Sequence, residues 1–328
     1  MEPSQLILAR RYSLLGHDVR SLARQAKTGE LRRIRQGVYV RAVEWDVLKS
    51  WERYPLLVHA AAATLQSNTV FCRQSSAAIW GIPLLGRQTL VHACTFDGAG
   101  GRSRAGVRRH YVQRAYLRSE EVSGLLVTDR IRTSLDLAAY ESFGQAMVVL
   151  DHILKPDKTR PLAAVSRDEL ENALEPSSQG SNGTAVYSGA AVRRIRAALA
   201  FADPASGSPG ESLSRALMHQ LGFQVPLLQT VVRDVNGLVA YCDFEWPGAG
   251  LVGEFDGLVK YRKAEYLSGR TPSETVIDEK RREDRIRATG RRVIRWTWAE
   301  LVDSHRFSAF LASAGVPRAH RFWTDAAK

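Results

Sequence analysis

The stretch YCDFEWPGAGLVGEFDG, residues 241–257, places four carboxylates inside two apolar runs that a Pro-Gly turn joins. A hairpin with its tip at the Gly-Ala dipeptide pairs Asp243 directly with Glu254. Because side chains alternate along a strand, Glu245 and Asp256 share that face, and large apolar side chains fill the other. Like charges that face each other destabilise a sheet, so the stretch predicts a β-hairpin whose acidic face needs compensation.

Two kinds of compensation are open. A divalent cation, Mg²⁺ or Mn²⁺, takes oxygen ligands and accepts one or two carboxylates together with substrate phosphates. Alternatively, the carboxylates lie on a solvated polar face with arginines nearby. The cation is the simpler compensation of the two, so we expect a metal site.

The segments on either side extend the hairpin into an α/β domain. SPGESLSRALMHQLGF predicts a helix capped by Ser208 with Glu211 in its first turn, where the helix dipole alone also favours a carboxylate. The turn DVNG closes a preceding hairpin, and RRVIRWTW predicts a later strand. Between them VIDEKRREDRIRATG predicts a helix that carries Lys280 and turns Ile277 and Ile286 toward the sheet.

These residues carry a resemblance. A first-helix Glu, an Asp on one strand and a Glu on the next resemble the PD-(D/E)xK nuclease superfamily. More narrowly, DFEWPGAGLVGEFDG, KRREDRIRATGRRVIRWTW and the later ELV are similar to very-short-patch-repair-like (Vsr-like) endonuclease domains of actinobacterial proteins, over roughly residues 205–305. The resemblance implies a restriction-endonuclease-like fold with a central mixed sheet. It further implies Asp243 and Glu254 as ligands of Mg²⁺ and Glu211 as an auxiliary catalytic carboxylate.

One position departs from the superfamily pattern. Asp256 stands two residues after Glu254, where the superfamily usually has a lysine. The cation that offsets charge on the phosphorus oxygens is therefore open. Lys260, just beyond the strand, and Lys280, on the following helix, are the candidate replacements, and Asp256 stays among the candidate catalytic residues.

The formal net charge of +12 is concentrated in two segments. Residues 1–41 hold nine Lys/Arg against three Asp/Glu, and residues 260–295 hold twelve against six. Positive charge gathered in this way is typical of nucleic-acid binding, although basic surfaces also serve solubility or acidic partners. We expect DNA as the partner.

The first basic segment has the element order of a winged helix-turn-helix. PSQLILARRYSLLG predicts one helix, DVRSLARQAKTG a second with Val19, Leu22 and Ala23 on one face, and ELRRIRQGVYVRA a hairpin bent at Gly37. In such a domain the second helix enters the major groove and the hairpin contacts phosphates. A small helical cap with a solvated polar face is the alternative. The side chains expected to contact DNA are Arg20, Arg24, Gln25, Lys27, Arg32, Arg33 and Arg35.

A second resemblance covers roughly residues 1–155. LARQAKTGELRRIRQGVYV, HAAAATLQSNTVFCRQSSAAIWGIPL and VTDRIRTSLDLAAYESFGQAMVVLDHIL occur in the order found in AbiEi-type antitoxins of type IV toxin-antitoxin systems. The chain resembles that family of bacterial transcriptional regulators. The resemblance implies autoregulatory DNA binding and a cognate toxin protein as a further partner.

The sequence thus predicts a multidomain α/β (α+β) chain. We expect a winged-helix DNA-binding domain over residues 1–45, a mixed α/β middle domain over 46–157, a linker and connecting helix over 158–204, and the nuclease-like domain over 205–328. Cys72, Cys94 and Cys242 lack metal-ligand spacing, and so do the histidines, which we assign to packing or surface. No apolar run is long enough to span a membrane and no secretory signal is evident, so we expect a cytoplasmic protein.

Three functions remain open at this stage. The first is a Mg²⁺-dependent DNA endonuclease in phage defence, repair or a toxin-antitoxin context. The second is a repressor or antitoxin that binds its own promoter and a toxin, with a nuclease fold that has lost activity. The third, an adaptor for acidic proteins, predicts affinity for neither metal nor DNA. The carboxylates favour the first function and Asp256 favours the second.

Overall fold

The computed structural model describes residues 5–98, 103–157, 159–175, 186–257 and 272–319, and the side chains of 272–276 are left aside. Lys260 lies outside the described residues. The fold is mixed α/β and divides into two compact units: unit 1 comprises Met1–Glu141 and Pro156–Ala200, and unit 2 comprises Ser142–Lys155 and Phe201–Lys328. Within the part of the chain that is described, no helix has the length and apolar character needed to cross a membrane.

Unit 1 begins with a three-stranded sheet and two helices. Asp18 caps the second helix by accepting the N–H of Arg20, and Gly29 ends that helix at a φ of 86°. The sheet has the order β1-β3-β2. The elements are β1 (Ile7–Leu8), α1 (Ala9–Leu14), α2 (Val19–Thr28), β2 (Leu31–Arg35) and β3 (Val38–Arg41).

The two helices and the hairpin were predicted, but their inward faces differ from the prediction. Ile7 pairs with Tyr39 as a strand instead of starting the first helix. Leu14 is 79% exposed. On α2 only Leu22 is fully buried, with Ala26 one turn later packed beside it, because these two positions face the sheet.

The rest of unit 1 packs helices against two short sheets. Strands β4 and β5 pair in parallel, whereas β6 and β7 form an antiparallel hairpin. Helix α8 lies within the segment that the sequence assigned to the linker. The remaining described elements of unit 1 are short helices and strands. They are α3 (Ala42–Asp46), α4 (Ser50–Ala62), α5 (Arg73–Trp80), β4 (Val91–Thr95), β5 (Val107–Tyr111), β6 (Ser119–Val122), β7 (Leu125–Thr128), α6 (Arg130–Tyr140), α8 (Arg167–Asn172) and α9 (Gly189–Phe201), with α7 (Phe143–Ile153) lying between α6 and α8 in the chain.

Helix α7 belongs to unit 2, although the sequence division grouped it with the middle domain, because it packs against the helix that opens the C-terminal segment. The remaining elements of unit 2 surround a four-stranded mixed sheet of order β11-β10-β9-β8 in which only β10 and β11 are parallel. They are α10 (Pro209–Gln220), β8 (Leu227–Asp234), β9 (Gly237–Trp246), β10 (Leu251–Phe255), α11 (Pro272–Ala288), β11 (Arg292–Trp296), α12 (Trp298–Leu301) and α13 (Ser304–Ser313).

The sheet of unit 2 has a buried cluster on each face. One contains the aromatic side chains of β9, β10 and β11 together with residues of α10, α12 and α13. The other is smaller and includes Ile286 of α11 with Cys242 and Val252. Ile286 is fully buried, whereas Ile277, which was also predicted to face the sheet, is 50% exposed. Helix α11 therefore adds little apolar contact, and polar side chains make most of its contacts with the sheet.

Candidate active site

The predicted hairpin register is confirmed up to the acidic positions. Trp246 pairs with Leu251 and Phe244 with Gly253, which is the pairing expected from the Pro-Gly turn. The described ladder between β9 and β10 stops there. Asp243 and Glu254 would form the next pair, but Asp243 instead accepts the backbone N–H of Phe255 at 2.9 Å. The backbone N–H of Phe255 therefore donates to the side chain of Asp243, instead of to a backbone carbonyl of β9, at the point where the two strands separate.

Strand β9 changes face at Asp243. Phe244 belongs to the aromatic cluster and Cys242 to the cluster under α11, although two residues apart in a regular strand lie on the same face. On the neighbouring strand β8, Gln229 has a φ of 50°, a left-handed conformation that is uncommon for residues other than glycine. The backbone irregularity therefore lies where Gln229 and Asp243 meet.

The amide of Gln229 joins two of the predicted carboxylates. Its Nε2 donates to Glu211 Oε2 at 3.1 Å and to Asp243 Oδ1 at 3.3 Å. Glu211 is 5% exposed and also accepts the backbone N–H of Gly207 at 2.7 Å. Ser208 caps α10 as predicted and so fixes the first turn from which Glu211 projects. The buried carboxylate of Glu211 and the partly buried carboxylate of Asp243 therefore approach the same amide nitrogen.

Glu254 has different partners. Its two oxygens accept from Nη2 of Arg282 at 2.8 and 2.9 Å, and one of them also accepts from Nε of Arg295 at 2.9 Å. Arg282 comes from α11 and Arg295 from β11, whose parallel register places Arg295 beside Glu254. Arginines therefore compensate this carboxylate, as the second alternative predicted, but Glu254 is buried and not on a solvated face.

The arginines extend this group into an ion-pair network. Arg282 also donates to Glu279, and that hydrogen bond is the main reason why the pKa of Glu279 is lowered. Arg295 contacts Glu279 as well and pairs with Glu283 at 2.9 Å. We call Glu254, Glu279, Arg282, Glu283 and Arg295 the Arg-Glu cluster. The cluster joins α11 to the sheet through ion pairs, beside the apolar contact that Ile286 makes.

The candidate cations differ in position. Lys280 is exposed on α11 and has no carboxylate partner among the described residues. Arg282, two residues later, holds the place beside Glu254 that the sequence assigned to a lysine. Asp256 is partly buried, and its backbone N–H bonds the carbonyl of Trp296 at 2.9 Å.

Whether these residues suit a divalent cation is decided by the donor geometry. Glu211 and Asp243 both approach the position of the Gln229 amide nitrogen, and Mg²⁺ accepts one or two carboxylates beside phosphate oxygens. Those two side chains fit the ion. Glu254 does not, since arginine N–H groups occupy both of its oxygens. Within the described ranges, no group of three or more His, Cys, Asp or Glu side chains converges on a metal position.

The side chains predicted to contact DNA fall into two groups. Arg20, Lys27 and Arg33 are exposed and have no carboxylate partner in the described part of the chain. The others differ: Arg24 pairs with Asp18 at 2.9 Å, Arg32 pairs with Asp46 at 3.0 Å, Gln25 is half-buried, and Arg35 points inward to Thr64 and Ala105.

Several residues of interest escaped the sequence analysis. Gln229 is one polar residue in an apolar strand, and a glutamine inside PLLQTVV was the only signal for it.

His92 and His110 were assigned to packing or surface. The parallel pairing of β4 and β5 brings His92 Nδ1 to 2.9 Å from His110 Nε2. Burial, reinforced by the charge of Arg73, lowers the pKa of His92 to about 4 and that of His110 to about 3. The pair is therefore neutral.

Comparison with known proteins gives relatives without assigned functions. No protein-family model matches the chain. The chain is 28% identical over 257 residues to the uncharacterized protein MT2308 of Mycobacterium tuberculosis strain CDC 1551 / Oshkosh, covering 78% of this chain and 82% of that protein. The same figures hold for the uncharacterized protein Rv2248 of strain ATCC 25618 / H37Rv. The similarity spans most of both chains and says nothing of activity.

Proposed function

We propose that the chain is a DNA-binding protein whose unit 2 hydrolyses phosphodiester bonds of DNA with the help of Mg²⁺ or Mn²⁺. The observation that carries this proposal is the convergence of Glu211 and Asp243 on the amide of Gln229. It lies in a mixed sheet, at the point where two strands separate, and it involves two of the carboxylates that the resemblance to PD-(D/E)xK nucleases singles out.

The residues have distinct proposed roles. A bound cation would polarise a phosphoryl oxygen and lower the pKa of a bound water. Asp243 and Glu211 would hold it, and the N–H of Phe255 keeps the Asp243 carboxylate oriented. Gln229 stabilises the metal-free arrangement by donating to both acids. Arg282 and Arg295 are the described cations beside Glu254, but they pair with the glutamates of the Arg-Glu cluster. The charge-offsetting role therefore stays with Lys260 or Lys280 in this proposal.

DNA binding is proposed from the exposed positive charge of unit 1. Arg20 and Lys27 project from α2 and Arg33 from β2, and none of them is neutralised by a carboxylate in the described ranges. Such side chains contact phosphates without reading sequence, so affinity should fall steeply with salt. A cytoplasmic location stays part of this proposal, and so does the toxin partner that the resemblance to AbiEi-type antitoxins implies.

The second candidate is a non-catalytic repressor or antitoxin. The compensation of Glu254 by two arginines favours it, because a metal ligand at this position would first have to leave a partly buried ion-pair network. In this case DNA binding persists and cleavage is absent.

Plasmid nicking tests the proposal directly. Purified protein is incubated with supercoiled and linear DNA in Mg²⁺, Mn²⁺ or EDTA, beside the isosteric variants Asp243→Asn and Glu211→Gln. Glu245→Gln is the matched control, because Glu245 lies on the same strand as Asp243 and is buried like Glu211, but pairs with Arg291. We expect metal-dependent nicking that Asp243→Asn and Glu211→Gln abolish and the control retains.

Two outcomes decide between the candidates. Nicking at the wild-type rate by Asp243→Asn and Glu211→Gln would remove the proposed site. Absence of nicking by the wild type, together with a gel shift that Lys27→Gln and Arg33→Gln weaken, would establish the non-catalytic candidate. Absence of both cleavage and binding would reject the two.

A further inference from the structure

A cavity of about 610 Å³ lies inside unit 1, beside the β2–β3 hairpin. The hairpin contributes Ile34, Arg35 and Gln36, and the opposite side includes Leu57, Thr89 and Val91. Pockets that hold small ligands span about 300–1,000 Å³ and combine an apolar lining with a few polar groups. The size and the mixed lining of this cavity are those of a small-molecule site.

Arg35 is the charged group of the cavity. Its Nε donates to Thr64 Oγ1 and its Nη1 to the carbonyl of Ala105, both at 2.8 Å. Both acceptors are neutral, and the Thr64 hydroxyl in turn donates to the carbonyl of Ala61 at 3.0 Å. No carboxylate pairs with Arg35 within the described residues. Burial lowers the pKa of Arg35, but an arginine stays protonated at neutral pH. Among the described lining residues, the cavity therefore has one positive charge and no carboxylate beside it.

The remaining donors of Arg35 define the ligand. Guanidinium has five N–H groups and the two neutral acceptors use two of them, which leaves three for an anion. The fixed fork of a guanidinium suits a carboxylate, sulfonate or phosphate oxygen pair. Ile34, Leu57 and Val91 offer apolar contact beside it. A ligand with one acid group and an apolar body satisfies both parts of the lining.

We propose that this cavity binds a small organic anion whose acid group pairs with Arg35 and whose apolar body contacts Ile34, Leu57 and Val91. The anion would stabilise the hairpin segment Ile34–Gln36. The same hairpin carries Arg33, so occupancy would change DNA affinity. This second step rests on the proposed DNA binding, whereas the cavity site itself does not.

The test uses two dyes with the same aromatic body on the full-length protein. 1-Anilinonaphthalene-8-sulfonate carries an acid group, and N-phenyl-1-naphthylamine lacks it. Fluorescence titrations compare the wild type with Arg35→Gln, Arg35→Lys and Arg33→Gln. Arg33→Gln is the matched control because Arg33 lies on the same strand, exposed and outside the cavity.

The expected result is specific for the charge. Arg35→Gln should weaken binding of the sulfonate dye about tenfold or more and leave the neutral dye unaffected, because one charge-assisted pairing is lost. Arg35→Lys should lose less, and Arg33→Gln should change neither dye. Equal weakening of both dyes by Arg35→Gln, or no weakening of the sulfonate dye, overturns the site. Gel shifts with and without the sulfonate dye then test the coupling separately, and a shift in DNA affinity that Arg35→Gln removes supports it.

Discussion

Replacing Arg215 with methionine tests how α10, the helix that carries Glu211, is held in unit 2. The Arg215 guanidinium donates to both oxygens of Asp151 on α7, at 3.0 and 2.9 Å, and to the carbonyl of Phe201 at 2.6 Å. The Arg215 and Asp151 side chains are 4% and 1% exposed. Asp151 also accepts the backbone N–H of Asp203 at 2.7 Å. This ion pair therefore holds α10, the helix that carries Glu211, against α7.

The expected loss follows from the burial of the pair. Removing one partner of a buried ion pair leaves the other charge uncompensated, which costs about 3–5 kcal/mol. The two hydrogen bonds to Asp151 alone, at about 1.5–3 kcal/mol each, give a similar range. Arg215→Met should lower the free energy of unfolding of unit 2 by about 3–5 kcal/mol. Adding Asp151→Asn removes the orphaned charge and should recover part of this loss.

The loss also depends on pH. Burial raises the pKa of Asp151 in the native protein, and Arg215 opposes that rise. Without Arg215, the folded-state pKa lies further above the unfolded value of about 3.9. Between those two pKa values the folded variant holds a proton that the unfolded chain has released, so its free energy of unfolding rises as the pH falls through this window. The destabilisation is largest at neutral pH and shrinks toward acid pH.

Urea unfolding followed by hydrogen exchange mass spectrometry separates the peptides of unit 2 from those of unit 1. Arg306→Met is the matched control, because Arg306 is 61% exposed and loss of its pair with Glu300 costs about 0–1 kcal/mol. A loss in Arg215→Met no larger than in the control, or one that grows as the pH falls, refutes the assignment of Arg215 and Asp151 as a buried, mutually compensating pair.

Three further predictions concern unit 2. Gly210→Ala should cost about 1–3 kcal/mol, because an added Cβ lies 1.9 Å from the ring of Phe255, whereas Gly248→Ala enters open space and should change little; equal thermal shifts would contradict this. Raising NaCl from about 0.1 to about 1 M should reduce hydrogen-exchange protection of α11 more than that of α10, since ion pairs join α11 to its sheet, and an equal reduction would disprove that dependence. Cys242 should react with a thiol reagent at about pH 8 only after denaturation. Burial, and to a smaller extent the nearby carboxylate of Glu254, raises the pKa of its thiol to about 11. Rapid labelling of the native protein would contradict this prediction.

Turn chemistry and periodicity predicted most elements of the fold, because these signals are local. The Pro-Gly turn set the register of β9 against β10, and Ser208 set the start of α10. The structure differs from the prediction where contacts with segments distant in sequence determine the secondary structure or the packing. Ile7 has the periodicity of a helix but pairs with Tyr39, and α7 joins unit 2 through its contacts with α10. No local pattern distinguishes these arrangements from the ones predicted.

The sequence predicted both carboxylates that come together in the candidate site, but not the contacts that they make. Glu211 and Asp243 do come together, although by sharing the amide of Gln229 and not through a cross-strand pair of Asp243 with Glu254. The reason is the φ of 50° at Gln229, since the strands change face beside it and an alternation rule then fails. The arginine partners of Glu254 lie 28 and 41 residues away in sequence, beyond any spacing argument.

Of the two forms of compensation that the sequence left open, arginine pairing occurs at Glu254, and compensation by a cation is proposed for Glu211 and Asp243. Glu254 is already neutralised, so a cation at Glu254 would have to break contacts with Arg282 and Arg295 before it gained any. Glu211 and Asp243 both accept from the neutral amide of Gln229, whose position we propose for the cation. A cation at that position would leave the contacts of the Arg-Glu cluster in place. If the protein is a nuclease, Asp243→Asn should abolish cleavage at unchanged stability of α11, whereas Glu254→Gln should loosen α11 first.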